Sequence, residues 1–341
     1  MEATALQITW FILFGVLIGG YAILDGFDLG VGINSLFVKK SDDRRLMINA
    51  IAPVWDGNEV WLVTGGGALF AAFPPVYATT FSGFYLAIML LLLAMIARAV
   101  SMEFRGKVDS AVWKRIWDLS FGLGSLVTTL LFGVAIGNVL RGIPLNANGD
   151  FTGTFLDLLN PISIATGILS VVMFSTQGAL YMLFKSEGTL HDQMNRIAWR
   201  MWLVWGVLFI GVSAATLGTY AHISENALSH SYGWLACVAV FAGLVAMPIF
   251  LKKHAPIRAF VASSIAIFAS VALVGAGLYP RFVPAATDLA HSLTVANASS
   301  SESTLKTMLV IALLGMPLVI AYTIFTYRVF RGKVRIDEHS Y

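Results

Sequence analysis

Charge is scarce in this sequence. Its 341 residues carry 22 Lys and Arg against 19 Asp and Glu, 12% charged in all, where a soluble domain carries about 25%. With 57% apolar residues and a mean hydropathy of +0.78, no single water-soluble core absorbs the excess, so the composition reads as a polytopic membrane protein. The net charge of +3 leaves no basic face for nucleic acid. A single cysteine, Cys237, excludes an intrachain disulfide and a cysteine-based metal cluster. Also absent are a phosphate-cradling glycine loop, an HExxH zinc motif and a dinucleotide fingerprint. The first residues, Met1-Glu2-Ala3-Thr4, lack the basic start of a secretory signal, and the apolar run behind them is too long for one. It reads as a retained first span.

What is present is a series of apolar segments. A membrane helix needs about 20 mainly apolar residues to cross a layer of about 30 Å. That ruler predicts nine spans, near 8–35, 47–73, 77–99, 117–140, 161–184, 201–221, 234–251, 258–280 and 306–328. The second is the least regular, because Pro53, Asp56, Asn58 and Glu59 interrupt it. Nine spans use up the chain, and residues 1–341 read as one integral membrane domain with no extramembrane unit. Counting Lys and Arg in the loops puts 19 of the 22 basic residues on one side, leaving Arg141, Arg281 and Lys306 on the other. The segregation supports nine spans, an outside N-terminus and a cytoplasmic C-terminus.

Within the spans, small residues spaced four apart, Gly15 and Gly19, Gly26 and Gly30, Gly133 and Gly137, predict close helix approach. Intramembrane acids cost more to place. Each is worth roughly 2.5–3.5 kcal/mol at mid-membrane on insertion scales. The first span holds Asp25 and Asp28, and the second Asp56 and Glu59, both pairs at i, i+3 and so expected on one helical face. Counting from the intervening loop at ~1.5 Å per residue places Asp28 ~12 Å deep and Asp56 ~15 Å deep, so the pairs are expected to face each other. Four such acids cannot all be ionised without countercharge. Two readings follow. The acids form a proton path, or they form a structural network that caps backbone groups freed by Pro53 and the glycines, or pairs with Arg98 of the third span.

All six histidines (His191, His222, His230, His254, His291 and His339) fall in loops, the tail or helix ends. Holding a haem in a helix bundle takes His or Met ligands projecting inward, so this chain is a poor haem carrier and no metal site is expected. His222 and His230 are the one pair near the outer surface.

At the acidic segments the sequence resembles a known family, subunit II of the cytochrome bd-type quinol oxidases of bacteria and archaea. The resemblance is carried by residues 22–32 (AILDGFDLGVG), 47–62 (MINAIAPVWDGNEVWL) and 66–72 (GGALFAA). Further blocks are 81–85 (FSGFY), 133–138 (GVAIGN) and 317–323 (PLVIAYT), so the likeness runs from the first span to the last. It implies nine spans arranged as two four-helix bundles plus a peripheral helix. It also implies a pseudosymmetric heterodimer with a subunit I that holds the quinol site and three haems, two b-type and one d-type. This chain would then bind no cofactor, although some members hold a quinone or lipid here, and a small single-span subunit often joins the complex. The complex oxidises quinol near the outer surface of the cytoplasmic membrane and reduces dioxygen to water with cytoplasmic protons.

Residue by residue, the resemblance implies that Asp56 of the Trp-Asp-Gly-Asn motif relays protons at the interface with subunit I, with Asp25 and Asp28 as support. Trp55 would pack against the partner, with Gly57, Asn58, Trp61 and Arg98 beside it. Glu59 departs from the pattern, because many members have Gln there. A reading from another class, a proton-coupled secondary transporter using the same carboxylates, requires pseudo-inverted halves with interrupted helices at corresponding positions; only the Pro53 region fits. A third reading is a scaffold whose acids serve packing alone.

Overall fold

The structure is a computed structural model and describes residues 2–335. Among these residues are twelve α-helices: α1 (Ala5–Ser35), α2 (Ser41–Ile51), α3 (Trp55–Ala72), α4 (Pro74–Gly83), α5 (Tyr85–Phe104), α6 (Ala111–Arg141), α7 (Pro161–Lys185), α8 (Gly188–Thr219), α9 (Ala221–Ser229), α10 (Ser231–Lys252), α11 (Pro256–Leu278) and α12 (Glu302–Val329). Eight are long and apolar enough to cross a membrane. The bent pair α3 and α4 makes a ninth if taken as one span. The protein is an all-α polytopic membrane protein.

Helix boundaries follow local chemistry. Thr4 caps α1 in a capping box with Gln7. Asn160 caps α7, whose first residue is Pro161, where the missing N–H costs nothing. Prolines also account for two departures from the expected spans. The segment 47–73 is divided, because α2 stops at Ile51 and α3 starts only at Trp55, with Pro53 between them. Depth counted along a single helix therefore does not apply to Asp56, which sits in the first turn of α3. The segment 77–99 is displaced: α3 ends at Ala72, Pro74-Pro75 open α4 at 120° to it, and the crossing helix α5 starts at Tyr85.

The helix α7 is the spine, packed against α1, α6, α8 and α11. Its closest approach is to α1: a Cβ on Gly30 would overlap the carbonyl of Phe174, and one on Gly178 would overlap the backbone of Gly30. Gly133 of α6 meets Gly167 of α7 in the same way. Backbone contact of this kind drives association where lipid is as apolar as the side chains. In contrast, α12 has one fully buried residue, Leu305.

The two ends of the bundle are built differently. The end bearing the N-terminus is closed by α4, the segment 142–160 and a short antiparallel pairing of Arg281–Val283 with Leu293–Thr294. Thr79 of α4 donates to Gly149 O at 2.8 Å, and Trp10 Nε1 donates to Leu305 O at 2.9 Å. The opposite end carries the basic loops and is fastened by ions. Asp118 of α6 accepts from Arg44 Nε at 2.7 Å and from Arg105 Nε at 2.6 Å. Lys185, the last residue of α7, donates to Phe330 O at 2.6 Å, and Lys333 donates to Ser186 O at 2.6 Å. These two bonds pin the chain after α12 to the end of α7.

Candidate functional site: a buried ionic cluster

α1, α3 and α5 meet around one guanidinium. Arg98 of α5 is 0% exposed and donates through Nη2 to Asp25 Oδ1 at 2.9 Å and through Nη1 to Glu59 Oε1 at 2.6 Å. Asp25 is also 0% exposed, whereas the Glu59 side chain keeps 19% of its surface open. Asp28, one turn further along α1, accepts from Asn58 Nδ2 at 2.7 Å; the same nitrogen lies 3.3 Å from Leu24 O. The hydroxyl of Tyr327, from α12, donates to Asn58 Oδ1 at 3.0 Å. Asp25 Oδ2, Asp28 Oδ1 and Arg98 Nε have no hydrogen-bond partner among the described residues.

The cluster is unbalanced. A buried charge is tolerated when it is paired and hydrogen-bonded, yet here one cation serves three acids. Arg98 cannot lose its proton, so the imbalance falls on the carboxyls, which take up protons where no countercharge reaches them.

Asp56 is not in this cluster. Residues three apart on a helix point about 60° apart, and the boundary of the buried face of α3 runs between Asp56 and Glu59. Asn58, Gly65, Leu69 and Ala72 form the buried stripe, while Asp56, Val60, Val63, Gly67 and Phe70 form the exposed one. The four acids therefore do not meet as two facing pairs. Glu59 turns inward to Arg98 and Asp56 turns outward, although Asp56 remains near enough to contribute to the electrostatics of Glu59. Gly57, Gly66 and Gly67 have open space beside them. Trp55 is half-buried against the chain's own core, and the Trp61 indole lies over Gly20 of α1.

Two residues of the buried polar contacts, Tyr327 here and Asp118 in the separate arginine cluster, are not singled out by spacing. Tyr327 lies 269 residues from its partner Asn58, and nothing local marks it. Asp118 left a signal, a lone acid at the start of an expected span on the side rich in arginine. His222 and His230 make separate contacts: His222 lies beside Tyr220, where burial holds its imidazole below the ordinary range, and His230 stacks on Tyr232. No three His, Cys, Asp or Glu among the described residues form a metal-binding group.

The fit of a haem can be tested on this arrangement. Among the described residues, His191 lies in the first turn of α8 and the other four histidines fall at or outside the ends of the crossing helices. His339 lies outside the described residues. Met47, Met102, Met173, Met182, Met194 and Met247 are buried in the apolar core. The described residues do not fit a haem.

A profile of the family described as cytochrome bd terminal oxidase subunit II matches residues 6–330. The chain is 36% identical over 370 residues to cytochrome bd-I ubiquinol oxidase subunit 2 of Escherichia coli strain K12, covering 99% of this chain and 97% of that one. It is 36% identical over 331 residues to cytochrome bd ubiquinol oxidase subunit 2 of Bacillus subtilis strain 168, covering 96% and 97%. Among solved structures, the bd oxidase from Geobacillus thermodenitrificans shares the fold, with a TM-score of 0.80 and 18% identity over 96% of this chain and 99% of that chain. Relatives at this identity along nearly the whole length, under a profile of equal extent, place the chain in one family: it belongs to the cytochrome bd terminal oxidase subunit II family.

Proposed function

We propose that this chain is the non-haem subunit of a quinol:oxygen oxidoreductase complex in a bacterial cytoplasmic membrane, and that it conducts protons toward the dioxygen-reducing site. The haems belong to a subunit I partner, quinol is the electron donor, and the basic end of the bundle faces the cytoplasm, a reading that the distribution of Lys and Arg supports. A small third subunit, lipid and a bound quinone are further members that the family resemblance brings with it. The transporter reading is not favoured by membership of this family.

The observation that carries the proton path is the graded burial of the acids. Asp56 is exposed on α3, Glu59 is 19% exposed, and Asp25 is fully enclosed with one oxygen unpartnered. Dioxygen reduction consumes a proton with each electron, so the complex needs carriers that load at a surface and unload in a dry interior. An acid on the open face accepts a proton. Surplus acids around one guanidinium hold protons that can exchange, and Glu59 stands between the two environments. Arg98 keeps the cluster from becoming a deep trap, because its fixed charge favours the ionised form of whichever carboxyl it touches.

The exposed stripe of α3 is where the partner belongs. A lone carboxylate facing lipid is costly to place, and the open glycines beside it allow a second helix to approach. Asp56 is the residue handed to subunit I across that contact.

The test is Asp56→Asn and Asp25→Asn in the assembled complex, with oxygen consumption normalised to haem. The expected result is a fall in turnover on the order of a hundredfold at unchanged haem content. Wild-type turnover per haem in both variants refutes the path, and wild-type turnover with a lower yield of complex makes the acids structural.

A further inference from the structure

Among the described residues, one helix outside the α1, α3 and α5 junction hydrogen-bonds to a residue that itself holds a buried acid, and it is the least buried of the crossing helices. α12 lies along the bundle almost wholly exposed, with none of its apolar window buried. Near its end, Tyr327 turns inward, its ring edge-on to Phe27 at 6.4 Å, and its hydroxyl meets Asn58.

We infer that Tyr327 is a positioning residue for the buried acids: by donating to Asn58 Oδ1 it fixes the amide so that Nδ2 donates to Asp28, tying α12 to the proton-holding cluster. The inference rests on the proton-path reading above and adds to it a residue outside the motifs that carry the family resemblance.

The hydrogen-bond inventory supports one orientation of the amide. An amide oxygen only accepts and an amide nitrogen only donates. Leu24 O, a backbone carbonyl, can only accept, so the atom of Asn58 facing it must be the nitrogen. The same nitrogen donates to Asp28 Oδ2. The oxygen then faces Tyr327, whose hydroxyl must be the donor. A flipped amide would set oxygen against both Leu24 O and the Asp28 carboxylate, and would set two N–H groups on a hydroxyl. All three contacts agree, which is how an amide orientation is properly assigned.

The bond from Asn58 is the one hydrogen bond that reaches the Asp28 carboxyl among the described residues, because Asp28 Oδ1 has none. The remaining groups that Asp28 feels are Asp25 on its own helix, Glu59 from α3, Arg98 from α5, Tyr181 from α7 and Tyr327 from α12. Of these, Arg98 is the single cation. Without the Tyr327 hydroxyl, Asn58 Oδ1 is stranded in a buried site and the amide is free to turn. Asp28 then loses the donor that discriminates between its ionised and protonated forms.

The experiment uses the assembled complex with oxygen consumption measured per haem across pH, together with infrared spectra of the carboxyl region. Tyr327→Phe keeps the ring and removes the hydroxyl. The expected result is a turnover about threefold to tenfold lower, the worth of one hydrogen bond, and a pH profile displaced by about half a unit to one unit. A carboxyl band should also move, and the move should vanish when Asp28→Asn is added. Tyr322→Phe, at a hydroxyl-bearing position of the same helix that is 65% exposed, should behave as wild type.

Asn58→Leu provides a second arm that does not depend on α12. It should displace the pH profile by the same amount, and the double variant should add nothing further, because the two residues act through one bond. A wild-type pH profile with unmoved carboxyl bands in Tyr327→Phe overturns the inference, as does strict additivity with Asn58→Leu. If instead Asp25→Asn and Asp56→Asn leave turnover unchanged while Tyr327→Phe still moves the carboxyl band, the tether stands and the proton path fails.

Discussion

Two buried ionic clusters of this protein have nearly mirror-image compositions. Around Arg98, one cation meets the acids Asp25, Glu59 and Asp28. Around Asp118, one acid meets two cations, and both of its oxygens are taken, by Arg44 and Arg105. The second cluster is also complete at its edges. Arg44 Nη1 donates to Val38 O at 2.8 Å, and Arg105 Nη2 donates to Ser41 O at 3.0 Å and Ser41 Oγ at 2.9 Å. The first cluster leaves Asp25 Oδ2, Asp28 Oδ1 and Arg98 Nε without partners. A surplus of arginine must be satisfied by acceptors because it cannot shed its charge, whereas a surplus of carboxyls can be met by protons. Completeness marks the Asp118 cluster as a clamp between α2, α5 and α6, and incompleteness is the feature of the Arg98 cluster on which the proposed proton path rests.

The sharpest way to break this contrast is to remove each central residue. Arg98→Met leaves three enclosed acids without a cation, at a cost of about 3–5 kcal/mol, and should sharply lower the yield of folded complex. Acid conditions should restore part of it, since protonation neutralises the stranded carboxyls. Melting temperature measured between about pH 8 and pH 6 should therefore rise on acidification in the variant more than in the wild type. A pH-independent loss would mean that the cluster does not exchange protons.

Asp118→Asn should cost less, about 2–3 kcal/mol, because charge-assisted hydrogen bonds are lost while the backbone acceptors of both arginines remain. Its melting temperature should show no rescue by acid. Turnover per haem should match wild type, and a lowered turnover at full haem content would add Asp118 to the proposed proton path.

The smallest effect is expected at Asp157, a fully solvated acid whose hydrogen bonds are complete. Its Oδ2 accepts from Thr154 N at 2.7 Å and from Thr154 Oγ1 at 2.9 Å, and these bonds hold the carboxyl below its ordinary range. A depressed acid stabilises above its unfolded pKa and loses that contribution as pH falls through the folded one. Protection of the Thr154 amide, relative to the exchange rate of an unprotected amide at the same pH, should thus fall between about pH 5 and pH 3 with little change in global melting. Asp157→Asn should remove the step, and a step that persists would assign it to another group.

Much of this architecture is legible in the sequence, for reasons visible in particular residues. Hydropathy reports long apolar runs, so the crossing helices could be counted. The glycine spacings at 26–30 and 133–137 announced the contacts that α7 makes with α1 and α6. The sequence also nominated Arg98 as a partner for the acids. It misplaced the helix ends around Pro53 and Pro74-Pro75, because hydropathy averages over a bend that the chain makes within two or three residues. It also merged Asp56 with Glu59, since a spacing of three cannot say on which side of a face's edge each residue falls. Tyr327 was beyond reach, because its partner comes from the other end of the chain and the pairing exists only once α12 has docked.

The contact between Gly30 and Gly178 bears on how variants of this protein are sorted. Two glycines on separate helices share one small volume, so neither can change alone and no single compensating change in the other is available. Substitutions there would lower respiration with the acids untouched, as the proposed relay role predicts for loss of Asp56. A growth phenotype alone would place both groups of residues in one class. Only the amount of haem-loaded complex in the membrane separates a broken hinge of assembly from a break in the proposed route for protons.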